Sequence, residues 1–240
     1  MQAIILAGGR GTRLRPHTEE IPKPLLVVGD KTILGHQIET LSKEGVSPIV
    51  IVTGFLAEKI ETFVKENFPN EKFIFVHNEE YESSKPAFAI IKSLEHLKDS
   101  TIYLNGDVFY EPQILKEVIE NKNESATAIQ ETNWDEEEVN VIVDENGSIT
   151  ELSKNLTKEE SFGEFIGVTK IGVDFIKSIK DVAEKEGVEV FRHSFAIDLL
   201  NHVIHKSENK MAAVNVTKLK AIEIDTPEDL TSAKTKFRNE

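Results

Sequence analysis

Residues 6–16 read Leu-Ala-Gly-Gly-Arg-Gly-Thr-Arg-Leu-Arg-Pro, and this stretch decides the fold class of the chain. The apolar run Ala3–Leu6 has the composition of a buried strand and leads directly into three glycines, which are interleaved with arginines and a threonine. Glycines let backbone N–H groups approach phosphate oxygens closely, and arginines supply charge-assisted hydrogen bonds. The pattern predicts a strand followed by a phosphate-binding loop. A tight, basic surface turn is the alternative.

The loop matches neither of the two common phosphate-binding motifs. A Walker loop ends in Gly-Lys-Ser/Thr, whereas residues 11–13 are Gly-Thr-Arg. A dinucleotide-binding loop opens a helix, which Pro16 would interrupt early. A nucleotide-dependent dehydrogenase is therefore a poor alternative, also because Thr53-Gly54 stands where a ribose-binding acid would be needed.

Outward from this loop, short apolar runs alternate with amphipathic stretches. This alternation predicts an α/β fold that is Rossmann-like, with a mostly parallel mixed sheet, helices on both faces and ligands at the carboxyl ends of the strands. The predicted strands of the first half are 3–6, 49–52, 73–76 and 102–104, and the predicted helices are 33–43, 57–66 and 87–97.

After about residue 125 the pattern predicts a small mixed-sheet insertion. Asn146-Gly147 favours a hairpin turn with positive φ, and Thr226-Pro227 is a strong helix start, because the threonine caps and the proline suits the first turn. Without a linker or repeat, one domain over residues 1–240 is the simplest account. The predicted strands here are 139–143, 149–152, 164–170 and 221–224, and the predicted helices are 175–185 and 195–205.

The bulk composition excludes several classes of function. The 240 residues carry a net charge of −14, which argues against a nucleic acid or an anionic membrane as partner. There is no cysteine, so disulfides, thiolate metal sites and a cysteine nucleophile are excluded. No apolar run approaches the roughly 20 residues of a membrane span, and the first residues lack the features of a signal peptide. We therefore expect a cytoplasmic protein.

Two aspartates stand at the ends of predicted strands. The strand at 102–104 leads into Asn105-Gly106-Asp107, and the strand at 221–224 leads into Asp225. Both carboxylates should meet beside the glycine loop, where they could hold a magnesium ion. A turn residue at the first position and a helix-capping accessory at the second are the alternatives.

The continuation of the glycine loop carries a family resemblance. Residues 8–25 follow the pattern G-G-x-G-T-R-L-x-P-x-T-x-x-x-P-K-P-L, with Lys23 between two prolines that restrict its backbone. This closely resembles the signature of the sugar-phosphate nucleotidyltransferases. The resemblance implies a nucleotide-diphospho-sugar transferase fold, Mg²⁺ as cofactor, a nucleoside triphosphate and a small phosphorylated acceptor as substrates, and pyrophosphate as product. Residues 1–125 would bind the nucleotide and residues 126–240 the acceptor.

The resemblance also implies roles for individual residues. Arg13 and Lys23 would be catalytic, and Asp107 and Asp225 would bind the metal. Lys154 and Glu164 match the acceptor-binding positions by context, a surface lysine and a core-edge acid being the alternative reading. The nucleotide would contact the loop and two strand ends, namely Leu6, Ala7, Gly8, Gly9, Gly11, Thr12, Arg13, Asn78 and Gly106.

Residues 78–87 depart from the members that use hexose 1-phosphates. Those usually have a glutamine and a Pro-Gly-Ala run, whereas this chain reads Asn-Glu-Glu-Tyr-Glu-Ser-Ser-Lys-Pro-Ala. With Gly-Glu-Phe-Ile-Gly at 163–167, it looks more like cytidylyltransferases. We therefore favour CTP and a phosphocholine-, phosphonate- or phosphoglutamine-like acceptor in cell-surface polysaccharide biosynthesis. Glucose, mannose or heptose 1-phosphate with UTP, GTP or dTTP is the alternative.

Some expectations stay open. A catalytically inactive, nucleotide-binding regulatory module is the alternative of another class, although the joint presence of Arg13, Lys23, Asp107 and Asp225 counts against it. Trp134, in an acidic stretch, could line the acceptor cleft or lie in a solvated loop. A homodimer is one candidate oligomeric state. The length leaves no room for an acetyltransferase domain, so we expect a single-function enzyme.

Overall fold

The computed structural model describes residues 1–131 and 138–238. The strands are β1 (Gln2–Leu6), β2 (Val27–Val28), β3 (Lys31–Thr32), β4 (Ile49–Thr53), β5 (Phe73–His77), β6 (Thr101–Asn105), β7 (Val108–Tyr110), β8 (Ala126–Gln130), β9 (Asn140–Val143), β10 (Ile149–Ser153), β11 (Gly163–Ile171), β12 (Ala212–Asn215) and β13 (Ala221–Glu223). The α-helices are α1 (Ile33–Lys43), α2 (Ala57–Asn67), α3 (Pro86–Ser93), α4 (Pro112–Glu120), α5 (Val173–Glu186), α6 (Ala196–Lys206) and α7 (Pro227–Lys236).

A central sheet, nine-stranded over the described residues, organises the molecule. Strands β6, β1, β4 and β5 are neighbours and run parallel. Strand β11 lies antiparallel to β6 and joins this parallel half to β8, β9, β10 and β12. The predicted α/β class, with a mostly parallel sheet and a mixed second half, is confirmed, and the sheet is continuous across residue 125.

Strand β1 shows why helices cover both faces of the sheet. Alternate side chains of a strand point to opposite faces. Ala3 and Ile5 pack with residues of α1, α2 and α4, whereas Ile4 packs with residues of α3, α5 and α6. All three are essentially fully buried, which is the pattern expected of a parallel strand with a continuous apolar sequence. No helix in the described ranges is both long and apolar enough to span a membrane.

A third, smaller apolar cluster lies beside the glycine loop. Leu14, from the 3₁₀ turn Thr12–Leu14 that follows the loop, packs with Phe109 of β7 and with Ile224, just after β13. Phe237, at the end of α7, closes the cluster with its ring centroid 4.8 Å from that of Phe109. Residues adjacent in sequence to Arg13 and Asp225 are therefore fixed by burial.

The predicted elements are present, with ends that differ by a few residues. The last helix begins as predicted, because the Thr226 hydroxyl accepts a hydrogen bond from the Asp229 amide (3.2 Å) and the Asp229 carboxylate accepts one from the Thr226 amide (2.7 Å). The sequence patterns missed one helix and five strands among the described residues, namely α4, β2, β3, β7, β8 and β12.

Gly106 allows the turn after β6 to touch the end of β1. A Cβ atom at this position would lie 2.1 Å from the Leu6 carbonyl oxygen and 3.3 Å from the Ala7 Cα atom. Both contacts involve backbone, which cannot move aside as a flexible side chain would. The close approach brings Asp107 next to the glycine loop.

We predict that Gly106→Ala destabilises the protein by about 2 kcal/mol, the typical cost of overpacking a tight site. For a chain of this size, that corresponds to a fall in Tm of about 4–8 °C, measurable by differential scanning calorimetry. Gly9→Ala is the matched control, because a Cβ atom there meets nothing within 4 Å. Equal Tm values for the two variants would contradict the proposed close packing.

Candidate active site

A cavity of about 430 Å³ opens at the carboxyl edge of the parallel strands. The glycine loop forms one wall, and strand ends together with two segments from the second half form the others. Glu164 is absent from the lining. The residues that sequence reasoning selected and that do line the cavity are Leu6, Ala7, Gly8, Gly9, Gly11, Thr12, Arg13, Lys23, Asn78, Gly106, Asp107, Lys154 and Asp225.

The glycine loop is held in shape by its own backbone and by Thr18. Gly11 adopts a left-handed conformation (φ 58°), which glycine tolerates without strain. Its carbonyl oxygen accepts a hydrogen bond from Thr18 Oγ1 (2.7 Å). The loop then enters a 3₁₀ turn rather than an α-helix, as expected for a loop that is not a dinucleotide-binding motif.

Lys23 stands at the centre of the charged groups. Its Nζ atom donates to Asp107 Oδ2 (2.7 Å) and to Asp225 Oδ1 (2.6 Å), and the residue is only 8% exposed. Burial alone would lower the pKa of Lys23, but the charges and hydrogen bonds of the two aspartates outweigh it and raise the pKa. Lys23 is therefore charged at neutral pH and joins the two predicted metal ligands.

Arg13 forms a second ion pair with Asp225, on the solvent side of the carboxylate. Arg13 Nη2 lies 2.6 Å from Asp225 Oδ2, while most of the arginine side chain is exposed. Burial would raise the pKa of Asp225, but Lys23 and Arg13 together lower it. The carboxylate is thus ionised and contacts both predicted catalytic cations.

Backbone and side-chain hydrogen bonds bring Asp107 and Asp225 together. The Ile224 amide donates to the Asp107 carbonyl oxygen (3.1 Å), which ties the two strand ends to each other. Gln37, fully buried on α1, donates from Nε2 to the Asn105 and Val108 carbonyl oxygens (2.8 and 2.9 Å). It therefore clamps the turn that carries Asp107, a role that the sequence alone did not indicate.

Asp229 fixes the backbone of Asp225. One oxygen of its carboxylate, Oδ2, accepts hydrogen bonds from the amides of Asp225 (3.0 Å) and Thr226 (2.7 Å). The helix cap and the orientation of Asp225 therefore depend on the same carboxylate.

Glu223 is a third carboxylate of the site that sequence reasoning missed. It lines the cavity together with Asp107 and Asp225. Burial raises its pKa well above the usual value, and the negative charges of the two aspartates raise it further. Its spacing could have identified it. Glu223 lies two residues before Asp225 in an extended segment, and side chains at this spacing point to the same face.

The described residues include no group of three or more His, Cys, Asp or Glu side chains that could hold a metal ion by themselves, but the pair Asp107 and Asp225 offers oxygen ligands for a divalent cation that also binds the substrate. Asp107 Oδ1 is buried and has no hydrogen-bond partner. Such an oxygen, in a set of oxygen donors only, suits a hard cation such as Mg²⁺. Lys23 Nζ lies between the aspartates where they converge.

Asn78 lines the cavity, but its amide also holds the loop that follows β5. Asn78 Nδ2 donates to Ser84 Oγ (3.0 Å), and Asn78 Oδ1 accepts from the Glu80 amide (3.2 Å). Three further residues of this loop line the cavity and were not selected from the sequence, namely Tyr81, Ser84 and Lys85.

Lys154, Phe165 and Phe195, from the second half of the chain, also line the cavity. Glu164 precedes Phe165 on β11, and strand alternation directs it to the other face of the sheet. There its charge acts on Lys236 of α7. The expectation about Trp134 falls on residues 132–137, outside the described residues.

Comparison with known proteins places this geometry in a family context. The Nucleotidyl transferase family model matches residues 2–153. The bifunctional protein GlmU of Methanocaldococcus jannaschii is 30% identical over 90% of this chain and 50% of its own length. The D-glycero-alpha-D-manno-heptose 1-phosphate guanylyltransferase of Campylobacter jejuni is 30% identical over 67% of this chain and 71% of its own length.

A solved structure shows the same fold over the whole chain. The inositol-1-phosphate CTP transferase from T. maritima superposes with a TM-score of 0.81 and 19% identity, and covers 99% of this chain and 96% of that one. The chain spans about half the length of the bifunctional relative that it matches. Because the family model matches more than half of the residues, this chain belongs to the Nucleotidyl transferase family.

Proposed function

We propose that this chain transfers a nucleoside monophosphate from a nucleoside triphosphate to the phosphate of a small metabolite and releases pyrophosphate. The observation that carries the proposal is the bridge of Lys23 between Asp107 and Asp225, set beside a glycine loop in one cavity. Phosphate transfer needs this combination of cations, oxygen ligands for a metal and close backbone N–H groups.

The proposed reaction is an in-line displacement. An oxygen of the acceptor phosphate attacks the α-phosphorus of the nucleotide, the bond to the oxygen that bridges to the β-phosphate breaks, and pyrophosphate leaves with that electron pair. A phosphate oxygen is already ionised at neutral pH, so no side chain need remove a proton from it. Catalysis then consists of positioning and of neutralising charge.

The residues that line the cavity have distinct roles in this scheme. The backbone of Gly8, Gly9 and Gly11 binds the nucleotide, Arg13 contacts the leaving pyrophosphate, and Lys23 steadies the phosphate at the reacting centre. Leu6, Ala7, Thr12, Asn78 and Gly106 complete the nucleotide site in the half formed by residues 1–125.

The metal would be held by Asp107 and Asp225, with Glu223 beside them. Bound Mg²⁺ supplies charge neutralisation at the phosphate oxygens. Burial and the charges of the two aspartates raise the pKa of Glu223, and its carboxylate would contribute a further oxygen ligand to the metal.

The acceptor site is proposed for residues 126–240, with Lys154 at its centre. Its position in the cavity lining supports this role, and Glu164 remains the second proposed acceptor residue although it lies outside that lining. CTP and a phosphocholine-, phosphonate- or phosphoglutamine-like acceptor of cell-surface polysaccharide biosynthesis remain the favoured substrates. The CTP transferase of similar fold supports this choice, while the guanylyltransferase relative supports GTP with a heptose phosphate as second candidate.

The proposal is tested by a matrix of four nucleoside triphosphates against phosphocholine, aminoethylphosphonate, phosphorylated glutamine and several sugar 1-phosphates. We expect magnesium-dependent pyrophosphate release with CTP and one small acceptor. Release only with another nucleotide would exclude CTP. No release with any pair, despite nucleotide binding, would favour an inactive regulatory module.

We predict that Lys23→Met and Asp107→Asn each reduce kcat about 100- to 1000-fold, because each removes a preorganised charge at the reacting centre. The exposed pair Asp174–Lys177 provides the matched control, since its 2.8 Å ion pair has the same chemistry on the surface. Asp174→Asn and Lys177→Met should retain wild-type rates. Near wild-type turnover by Asp107→Asn with magnesium would show that the metal assignment is wrong.

We predict that Asp229→Ala reduces kcat about 10- to 100-fold, because a small displacement of Asp225 misaligns the reacting groups. Thr226→Ala is the control that separates positioning from stability. It removes the hydroxyl that accepts from the Asp229 amide and donates to Asp229 Oδ2 (2.8 Å), a cap worth about 1 kcal/mol, but keeps the bond from the Asp225 amide to that oxygen. If both variants lost stability and rate in parallel, the positioning role would be refuted. Turnover and Tm are measured together.

A further inference from the structure

The loop of residues 78–86, termed here the β5 loop, forms one wall of the cavity. It contributes Asn78, Tyr81, Ser84 and Lys85 to the lining. Its internal bonds run from Asn78 to Ser84 and from Ser84 Oγ to the Glu80 carbonyl oxygen (2.8 Å). The loop follows β5, which is an edge strand of the sheet over the described residues. Contacts outside the sheet therefore contribute to its position.

On one side the loop is held by an ion pair between Glu82 and Arg10 of the glycine loop (2.8 Å). On the other side it contacts residues 187–195, termed here the anchor segment, which precede α6. The Lys85 amide donates to the Arg192 carbonyl oxygen (2.8 Å), and the Ala87 amide donates to the Ser194 carbonyl oxygen (3.1 Å). The Lys85 ammonium lies 3.8 Å from the centroid of the Phe195 ring, a cation–π contact. Two segments about a hundred residues apart in sequence thus form one continuous wall.

Arg192 makes the charged part of this connection. Its Nε and Nη2 atoms donate to the two oxygens of Glu189 (2.7 and 2.9 Å), and Nη1 donates to Glu80 of the β5 loop. The other oxygen of Glu80 accepts from Lys92 of α3 (2.8 Å). The guanidinium also stacks on the Phe88 ring, 4.6 Å from its centroid.

This arrangement is more restrictive than a surface ion pair. The planar guanidinium is fixed by a bidentate partner and a ring face, so the direction of Nη1 toward Glu80 is fixed as well. The Arg192 side chain is only 22% exposed, and Glu80 is held from both sides. The hydrogen bonds to Glu189 and Glu80 raise the pKa of Arg192, consistent with a permanently charged anchor.

We propose that Arg192 is a positioning residue for the nucleotide. Through Glu80 it holds the β5 loop against the glycine loop and thereby sets the affinity for the nucleoside triphosphate. This inference rests on the proposed function. It extends that function to a residue that does not line the cavity and that belongs to the half assigned to the acceptor.

The physical reason is preorganisation. A loop that is already ordered loses little conformational entropy when the ligand binds. A loosened loop loses more, and the ligand then binds more weakly. Ordering one or two side chains at that step lowers affinity by about tenfold. The reacting centre at Lys23 and Asp107 is left intact, so kcat at saturating nucleotide should change by less than about threefold.

The test measures binding of the four magnesium–nucleoside triphosphates by isothermal titration calorimetry, together with kcat and KM. For the nucleotide that the wild type binds most tightly, Arg192→Met and Glu80→Gln should each raise Kd about tenfold. The double variant should be no weaker than either single one, because both substitutions break the same link. Glu186→Gln is the matched control, since it breaks the ion pair of Glu186 with Lys206 (3.0 Å), which involves neither Arg192 nor Glu80, and should stay within about twofold of wild type.

The outcomes separate this inference from the proposed function. Wild-type Kd in Arg192→Met, with normal turnover, would overturn the inference alone. Additive losses in the double variant, or an equal loss in Glu186→Gln, would also overturn it, because the effect would not pass through Glu80. Nucleotide binding that depends on Arg192, without pyrophosphate release by the wild type, would support the inference and refute the transfer reaction. Failure of the wild type to bind any of the four nucleotides would refute both.

Discussion

The constraint on which the site depends is the contact of one buried ammonium with two carboxylates from distant parts of the chain. Lys23 Nζ lies within 2.7 Å of both Asp107 and Asp225. Removing an ion from water costs several kcal/mol, so a lysine that is 8% exposed stays charged only if its partners are well placed. The fold must therefore bring three chain segments to one point within a few tenths of an ångström.

The surrounding structure meets this requirement mainly through apolar packing and backbone hydrogen bonds. Leu14 and Ile224 are fully buried in one cluster, so the charged residues beside them, Arg13 and Asp225, project from a rigid base. The Ile224 amide donates to the Asp107 carbonyl oxygen, and Gln37 donates hydrogen bonds to the backbone on both sides of Asp107. The buried apolar residues thus hold in place charged groups that would otherwise repel one another or be hydrated.

Local sequence patterns predicted much of the fold and the centre of the site, but not the features that depend on long-range pairing. The strand–helix alternation identified the parallel half, and the loop signature identified Arg13 and Lys23. Strand β8, Ala-Thr-Ala-Ile-Gln, was missed because it is buried on every residue and shows no alternation of polar and apolar side chains.

The site residues that the sequence patterns missed also depend on contacts between distant parts of the chain. Gln37 acts through a turn 68 residues away, and Glu80 meets Arg192 across 112 residues, so neither pair has a local signature. The direction of Glu164 follows from the register of β11, which pairs with β6, β8 and β9 and contains an irregularity between Phe165 and Thr169. Register of this kind is set by tertiary packing rather than by nearby residues.

The charge balance of the cavity suggests why a metal should accompany the nucleotide. Lys23 and Arg13 neutralise Asp107 and Asp225 in this structure, while burial and the two aspartates raise the pKa of Glu223. In the proposed reaction the same two cations must face phosphate oxygens. The carboxylates of Asp107 and Asp225 would then be left beside a polyanion, which is strongly unfavourable at low dielectric. A divalent cation that binds both the carboxylates and the triphosphate removes this conflict, so the acidic site and its anionic substrate become compatible.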